Sequence, residues 1–362
     1  MKIDLIAGAR PNFVKIAAII HAIEKSEHPI KYRLIHTGQH YDESLSGNFF
    51  RDLSIPKPDI NLEVGSGSQA AQTGAIMIAY EKILINEKPG LCLVVGDVNS
   101  SMACAITAKK MQVKVAHVEA GLRSFDWNMP EEINRILIDS ISDYCFTTTL
   151  EAKQLLLNTG KEEDNTFFVG NTMIDTLLNF RNKFRRPSIW EKLKLTEGNY
   201  IILTLHRPGN VDEIKNLEIT IKTILDHSRN LPVIFPVHPR TANILKLSTC
   251  QNENLYIVEP LSYLEFNYMV ERAKAVITDS GGITEETTVL GVPCLSVRNS
   301  TERPETINEG TNELLGTDPL TIAPTLEKLF NGKWKKGKIP ESWDGKTGGR
   351  IIKILNRLSF CF

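Results

Sequence analysis

The sequence has no surplus of charge: over 362 residues, 42 Lys and Arg stand against 43 Asp and Glu, a formal net charge of -1. A chain that binds nucleic acid broadly carries a basic excess, so basic groups that hold an anion here must be gathered locally. Long apolar runs are missing too; none approaches the roughly 20 residues of a membrane span. Met1 to Ala7 carries one Lys and one Asp and no apolar h-region, so no signal peptide is expected. The cysteines, Cys92, Cys104, Cys145, Cys250, Cys294 and Cys361, form no CxxC pair. That argues against a zinc knuckle or a thioredoxin-type site and fits a reducing cytoplasm. Neither GxGxxG after the first strand nor GxxxxGK[ST] is present, which counts against NAD and P-loop chemistry. There is no tandem repeat and no low-complexity segment.

What is present is a grammar of short apolar runs alternating with helical segments. Apolar residues make up 42% of the chain, enough for two packed cores, and the length suits two domains better than one. In the first half Ile3 to Ala7, Tyr32 to Thr37, Leu91 to Val95 and Val113 to Val118 read as strands. Pro11 opens a helix with an apolar face of Phe13, Ile16, Ala17, Ile20 and Ile23, and Ser100 to Lys110 reads as another. The pattern restarts with strands at Tyr200 to Thr204, Val233 to Val237, Ala275 to Thr278 and Pro293 to Val297, and a helix at Glu285 to Leu290. The expected fold class is α/β, with two Rossmann-like domains. The expected boundaries are 1–172, 173–345 and a last segment, 346–362, whose helix crosses back to the first domain. Lys183, Arg185, Arg186 and Pro187 mark a charged stretch near the first boundary.

Ligands of open α/β sheets gather at the carboxyl ends of the strands. Here those ends carry Arg10, His36 to His40, Asp97, Glu119, His206, His238 and Asp279 to Gly282, which predicts a site in a cleft between the two halves. Ser280-Gly281-Gly282 before a helix offers free N–H groups, the positive end of the helix dipole and close backbone approach, the makings of a phosphate seat. Glu286, early in the same helix, suits a ribose diol. Arg10, Lys15 and Arg303 taken singly read more readily as solvated surface charges, but together with the Gly pair they form a candidate diphosphate clamp. Asp97 and Glu119 end apolar strands, where a charge is costly without a role or a partner; an ion pair or a helix cap is the plainer explanation. Glu131 and Glu132 follow Pro130 and open a predicted helix, where the dipole alone favours acids. His206 and His238 each precede an Arg/Pro pair, and an imidazole changes charge near physiological pH. Neither belongs to an HxxxH or HExxH pair, so no metal is expected.

These residues fall in stretches that, in order, resemble the non-hydrolysing UDP-N-acetylglucosamine 2-epimerases. The stretches are Gly8-Ala9-Arg10-Pro11 with Lys15, Thr37-Gly38-Gln39-His40, Gly96-Asp97-Val98-Asn99-Ser100, and His117-Val118-Glu119-Ala120-Gly121-Leu122-Arg123-Ser124. Met129-Pro130-Glu131-Glu132-Ile133-Asn134-Arg135, Gly170-Asn171-Thr172, Leu205-His206-Arg207, Pro236-Val237-His238-Pro239, Thr278 to Glu286 and Thr301-Glu302-Arg303-Pro304-Glu305 complete the set. The resemblance implies a GT-B arrangement of the two domains and a reaction at carbon 2 of a UDP-linked amino sugar. UDP is eliminated across C1–C2, leaving a 2-acetamidoglucal, and adds back with the acetamido group on the other face. It implies that Asp97, Glu119 and Glu131 share the acid–base work and that His206 acts at the diphosphate or in proton handling. It maps Arg10, Lys15, Ser280, Gly281, Gly282, Glu286 and Arg303 to UDP, and Leu261 and Phe266 to the uridine pocket. No cofactor and no metal is implied; UDP-N-acetylglucosamine and UDP are the expected partners, with a homodimer and supply of surface polysaccharide. Some relatives bind a second, activating substrate molecule. Gln39 and His238 resemble that pattern, whereas Asp42 and Ser68 do not, and Pro208-Gly209 and Ser140 also depart from common family residues.

Four other readings share parts of this pattern. The 2-epimerase of UDP-2,3-diacetamido-2,3-dideoxyglucuronic acid shares Gly8 to Pro11 and Arg123-Ser124-Phe125, while Thr301 to Glu305 is closer to the simpler sugar branch. A hydrolysing epimerase would release free N-acetylmannosamine. A GT-B glycosyltransferase would use the UDP seat but give the acids of the first domain less reason to converge, and a non-catalytic UDP-sugar sensor would bind the nucleotide tightly without solvent deuterium entering C2.

Overall fold

A computed structural model describes residues 2–38, 50–211, 213–237 and 252–359, apart from the side chains of Arg10, Pro208 and Ser359. Gln39, His40, Asp42, His238 to Arg240, Cys250, Cys361 and the Arg10 side chain therefore lie outside the described residues. The chain forms two compact units: Met1–Asn179 with Glu341–Phe362, and Phe180–Pro340. The sequence reading set its divisions at 172/173 and 345/346.

The first unit is built on a parallel sheet of β1 (Lys2–Ala7), β2 (Lys31–His36), β3 (Ile60–Asn61), β4 (Leu91–Val95), β5 (Lys114–Ala120), β6 (Tyr144–Thr147) and β7 (Thr166–Phe168). The strand order is β3-β2-β1-β4-β5-β6-β7. The central strands are apolar without alternation, as Leu-Cys-Leu-Val-Val of β4 shows, because both faces of such a sheet are covered by helices. The helices are α1 (Arg10–Glu24), α2 (Gln69–Asn86), α3 (Asn99–Lys110), α4 (Pro130–Ile141), α5 (Leu150–Asn158) and α6 (Thr172–Phe180). α1 starts where the sequence reading put it, with Pro11 in its first turn; Asn12 accepts from Ala9 N at 3.0 Å and donates to Val95 O at 2.8 Å, so the helix start is tied to the end of β4. Phe13, Ile16, Ala17, Ile20 and Ile23 are buried. Each such Ile contributes roughly 1.5–3 kcal/mol by leaving water. Ser68 caps α2, accepting from Ala71 N at 3.3 Å.

The second unit repeats the plan with α7 (Ser188–Lys192), β8 (Ile201–Thr204), α8 (Pro208–Val211), α9 (Ile214–His227), β9 (Val233–Pro236), β10 (Leu255–Val258), α10 (Tyr263–Glu271), β11 (Ala275–Thr278), α11 (Gly281–Leu290), β12 (Cys294–Ser296), α12 (Pro304–Asn308), β13 (Asn312–Leu314) and α13 (Ile322–Phe330). Its parallel sheet runs β10-β9-β8-β11-β12-β13. Two apolar clusters, one around Ile201, Phe235 and Ile277 and one around Tyr200, Ile202 and Val276, pack its two faces. The α/β class with two Rossmann-like units is thus what the chain adopts. In each sheet the strand order reverses once, between β1 and β4 and between β8 and β11, and such switch points are where doubly wound sheets leave an open crevice. No helix among the described residues is long and apolar enough to cross a membrane.

The last helix, α14 (Thr347–Ser359), packs on α1 in the first unit. Trp343, almost fully buried, donates to Thr148 O at 3.4 Å, Arg350 donates to Val169 O at 3.0 Å, and Gly348 N donates to Asp175 Oδ2 at 2.7 Å. Gly348 lets the helices meet: a β-carbon there would lie 2.5 Å from Ala18 O and 3.0 Å from Ala22 Cβ. Gly348→Val should therefore force α14 away from α1 and cost roughly 1–3 kcal/mol. Urea unfolding together with amide exchange in α14 checks this; unchanged stability and protection would contradict the packing.

Candidate active site

In the first unit, polar side chains converge at the ends of β4 and β5. Glu119 is 3% exposed and lies inside β5 rather than after it. The strand continues through Ala120, with a register shift against β6 between Val118 and Ala120. Glu119 has a φ of 71°, a conformation that costs a non-glycine residue on the order of 1–3 kcal/mol. A bulge of this kind re-aims a side chain. Here the carboxylate meets Lys15 of α1, Oε2 to Nζ at 2.5 Å, with both side chains nearly dry. A β-carbon on Gly96 would lie 3.2 Å from Lys15 Nζ and 3.4 Å from Glu119 Oε2, so this ion pair stands directly beside the residue before Asp97.

Asp97 is the more open of the two acids, its side chain 28% exposed, and it pairs with the buried guanidinium of Arg135. Asn134 Nδ2 holds the Asp97 carbonyl at 2.8 Å. Both partners come from α4, whose start also carries the two adjacent acids. Consecutive helical residues point about 100° apart, so only one can turn inward. Glu132 does: it is 1% exposed, accepts from Ser124 N at 2.9 Å, Ser124 Oγ at 3.0 Å and Phe125 N at 3.1 Å, and pairs with Arg135 at 2.8 Å. Burial pushes its carboxyl up, but the bonds from Ser124 and Arg135 prevail and hold it below its ordinary range. Glu131 remains exposed at the first turn of α4. Glu132 thus braces the loop after β5 and the arginine that holds Asp97.

In the second unit, β8 and β11 end side by side, with Thr204 Oγ1 and Thr278 Oγ1 2.6 Å apart. His206 follows β8, its side chain 63% exposed, and its Nδ1 lies 2.7 Å from Oδ1 of fully buried Asp279. Asp279 also accepts from Arg207 N and Asn210 Nδ2, each at 2.9 Å, and from His206 N at 3.0 Å. Desolvation pushes this carboxyl up, yet the hydrogen bond and charge of His206, with Asn210 and Arg207, bring it below its usual value. A histidine held through Nδ1 by a buried carboxylate, with the rest of its ring open to water, is aimed to give or take a proton at Nε2.

Ser280 stands at the N-cap of α11, and Gly281 and Gly282 form its first turn. The carboxylate of Glu302, paired with Arg298, stands near this positive helix end; a β-carbon on Gly281 would lie 2.5 Å from Glu302 Oε1. Arg303 is 3% exposed, with Nε 3.0 Å from Glu285 Oε1. Glu286, further along α11, accepts from Tyr263 Oη at 2.9 Å. Leu261 and Phe266, before and within α10, are partly buried against the cluster around Tyr200. Ser262 and Glu265 close a capping box that fixes the start of this helix. Among the sequence-predicted residues, the first unit brings Lys15, Glu119 and Asp97 together, and the second brings His206, Ser280 to Gly282 and Glu286 to one end of its sheet. Of the residues that hold them, Arg135 and Tyr263 were given no role from the sequence, while Asp279 was noted only as part of a polar strand end and Glu132 only as a carboxylate at a helix start. Their only signal was a charge or hydroxyl within an already notable stretch. Among the described residues, no three His, Cys, Asp or Glu side chains are arranged to hold a metal ion.

The pattern of the family described as UDP-N-acetylglucosamine 2-epimerase matches residues 21–356. The UDP-N-acetylglucosamine 2-epimerase of Methanocaldococcus jannaschii is 42% identical, over 98% of this chain and 99% of its own. A crystal structure of the M. jannaschii UDP-GlcNAc 2-epimerase in complex with UDP-GlcNAc and UDP is similar with a TM-score of 0.89 at 41% identity, covering 99% of this chain and 100% of that one. The UDP-2,3-diacetamido-2,3-dideoxy-D-glucuronate 2-epimerase of Pseudomonas aeruginosa is 39% identical, over 99% of this chain and 100% of its own.

Buried Glu286 of α11 gives the second unit a measurable pH signature. Desolvation drives the Glu286 carboxyl from its ordinary 4.5 up to about 7, against the opposing hydrogen bonds from Tyr263 and Asn267. Between those values the folded chain binds more protons than the unfolded one, so stability falls as pH rises. The contribution is fully present below 4.5 and is lost as pH passes through about 7. Glu286→Gln cannot ionise, so urea titrations should show the variant gaining stability relative to the parent across that window. A difference that stays flat from below 4.5 to above 7 would contradict the burial of a chargeable group there.

Proposed function

The chain belongs to the UDP-N-acetylglucosamine 2-epimerase family, and on that premise we propose that it interconverts UDP-N-acetylglucosamine and UDP-N-acetylmannosamine. The observation that carries the reading is a pair of carboxylates at neighbouring strand ends, Glu119 and Asp97, each joined to its own buried cation, Lys15 and Arg135. One carboxylate removes the C2 proton while the C1–O bond to UDP breaks. The C–H electron pair becomes the C1=C2 double bond, and UDP departs with the electrons of the broken bond. In the return step UDP oxygen attacks C1, and C2 takes a proton from the opposite face. No atom changes its net oxidation state, so the chemistry requires no hydride carrier. Two proton-handling groups on opposite faces are required, and Asp97, Glu119 and Glu131 are the candidates.

The second unit is proposed to hold the nucleotide. Its supporting features are the helix start at Ser280 to Gly282, the buried acid Glu286 suited to a ribose diol, and apolar Leu261 and Phe266 beside it. Arg10, Lys15 and Arg303 are proposed to meet the diphosphate, and His206, oriented by Asp279, to serve the leaving group. The same reading carries a cytoplasmic homodimer that supplies a polysaccharide pathway. Buried free thiols at Cys92, Cys104, Cys145 and Cys294 agree with the reducing compartment. A second reading, the diacetamido-glucuronate 2-epimerase, is favoured by the 39% identical relative from P. aeruginosa.

Incubation with UDP-N-acetylglucosamine in deuterated water separates these readings. The proposal predicts UDP-N-acetylmannosamine with deuterium at C2. Asp97→Asn and Glu119→Gln should lower turnover by about 10²–10⁴-fold, the usual contribution of a positioned acid or base. Turnover only of the diacetamido sugar selects the second reading. Free sugar with UDP indicates hydrolysis, and unimpaired variants would remove both acids from the mechanism.

A further inference from the structure

His117 is fully buried in the middle of β5, and both of its ring nitrogens have partners. Nδ1 lies 2.7 Å from Asp139 Oδ1 and Nε2 lies 3.0 Å from the carbonyl oxygen of Gly96. A carbonyl oxygen can only accept, so Nε2 must donate. The other oxygen of Asp139 takes the Gly121 N–H at 3.1 Å and Arg123 at 2.6 Å. Independently of the histidine, the Arg123 guanidinium and the Gly121 N–H both donate to this group, the surroundings of a carboxylate. An ionised carboxylate also only accepts, so Nδ1 must donate as well. A neutral imidazole has one donor, and either tautomer would set two acceptors against each other in a dry site.

We propose that His117 is a positioning residue held as an imidazolium, each ring N–H fastened to the backbone frame of a different acid. Through Nε2 it fixes Gly96, the residue before Asp97. Through Nδ1 it fixes Asp139, which in turn holds Gly121, two residues beyond the bulged Glu119, and which rises from the same helix as the Arg135 and Asn134 that grip Asp97. The groups that face the ring are Asp139 from α4, Arg123 sharing that carboxylate, and the Cys145 thiol alongside on β6, which burial pushes up to about 12 and keeps neutral.

This inference rests on the proposed roles of Asp97 and Glu119, and its test is separate from theirs. Ring-¹⁵N-histidine labelling of the intact chain at about pH 7.5, where a free imidazole is mostly neutral, should reveal one exchange-protected ring carrying protons on both nitrogens. His36, the other buried histidine among the described residues, accepts the Gly38 N–H on Nδ1 and should show one ring proton at most. In kinetics, His117→Ala should lower kcat by about 10²-fold, the order expected from displaced catalytic groups, with KM for the nucleotide sugar within about twofold of the parent. His117→Asn, with a donor near Nδ1, and His117→Gln, with one near Nε2, should each recover part of the loss. A protected ring with a single proton overturns the proposal, as does His117→Ala at parental kcat. Should the Ala variant not fold, the spectrum of the unaltered chain still decides. If the unaltered chain epimerises no UDP sugar yet shows the doubly protonated ring, the functional reading fails and the charge assignment stands.

Discussion

The ion pair between Lys15 and Glu119 is the contact around which the first unit's polar end is organised. A carboxylate that is 3% exposed cannot keep its charge without a partner, and the left-handed backbone at Glu119 cannot be held without a fixed tether. Lys15 supplies both, because Asn12 of the same helix clamps the start of α1 to the last carbonyl of β4. The lysine is thereby delivered to the strand end from a rigid element. Asp97, one residue past Gly96, is held by Arg135 and Asn134 from a second helix. Two acids of different exposure stand at adjacent strand ends, one dry and one partly open, which is a suitable starting point for two unlike proton-transfer tasks.

The second unit solves a different problem with similar means. Its buried acid, Asp279, faces outward-pointing His206 and two backbone N–H groups rather than a lysine. The carboxylate fixes the ring orientation and leaves Nε2 accessible. Along α11, buried Glu286 has a hydroxyl donor, Tyr263, and no cation among its described hydrogen-bond partners, so desolvation prevails and its pKa is raised. Neighbouring acids of one segment are thus set apart by their partners alone.

Much of this was readable from residues in order. Apolar runs ending in Gly96-Asp97, Glu119-Ala120-Gly121 and Asp279-Ser280-Gly281-Gly282 placed the polar ends of β4, β5 and β11 correctly, because a parallel sheet buried on both faces leaves little room for polar groups except at strand ends. The strands β3, β6, β7, β10 and β13 were missed; runs of two to four residues carry too little period to stand out. The choice between Glu131 and Glu132 was also out of reach, since position at a helix start favours both equally and only the loop at Ser124 and Phe125 selects one. The partnership of His117 with Asp139 joins residues 22 positions apart through tertiary packing, and nothing local signals it. Glu302 at Gly281 and Glu285 at Arg303 are similar: the sequence showed charges near a helix start, and the fold decides which of them neutralise one another.

The central claim is that these held acids break a C–H bond as UDP leaves, so that the sugar passes through an unsaturated intermediate. Positional isotope exchange tests this directly, with UDP-N-acetylglucosamine carrying oxygen-18 in the bridge between C1 and the β-phosphorus. If UDP departs and returns, the label should spread from the bridge to the non-bridging oxygens of that phosphorus while epimer forms. Epimer formation with the label confined to the bridge would mean that the C1–O bond never breaks, and would contradict the mechanism.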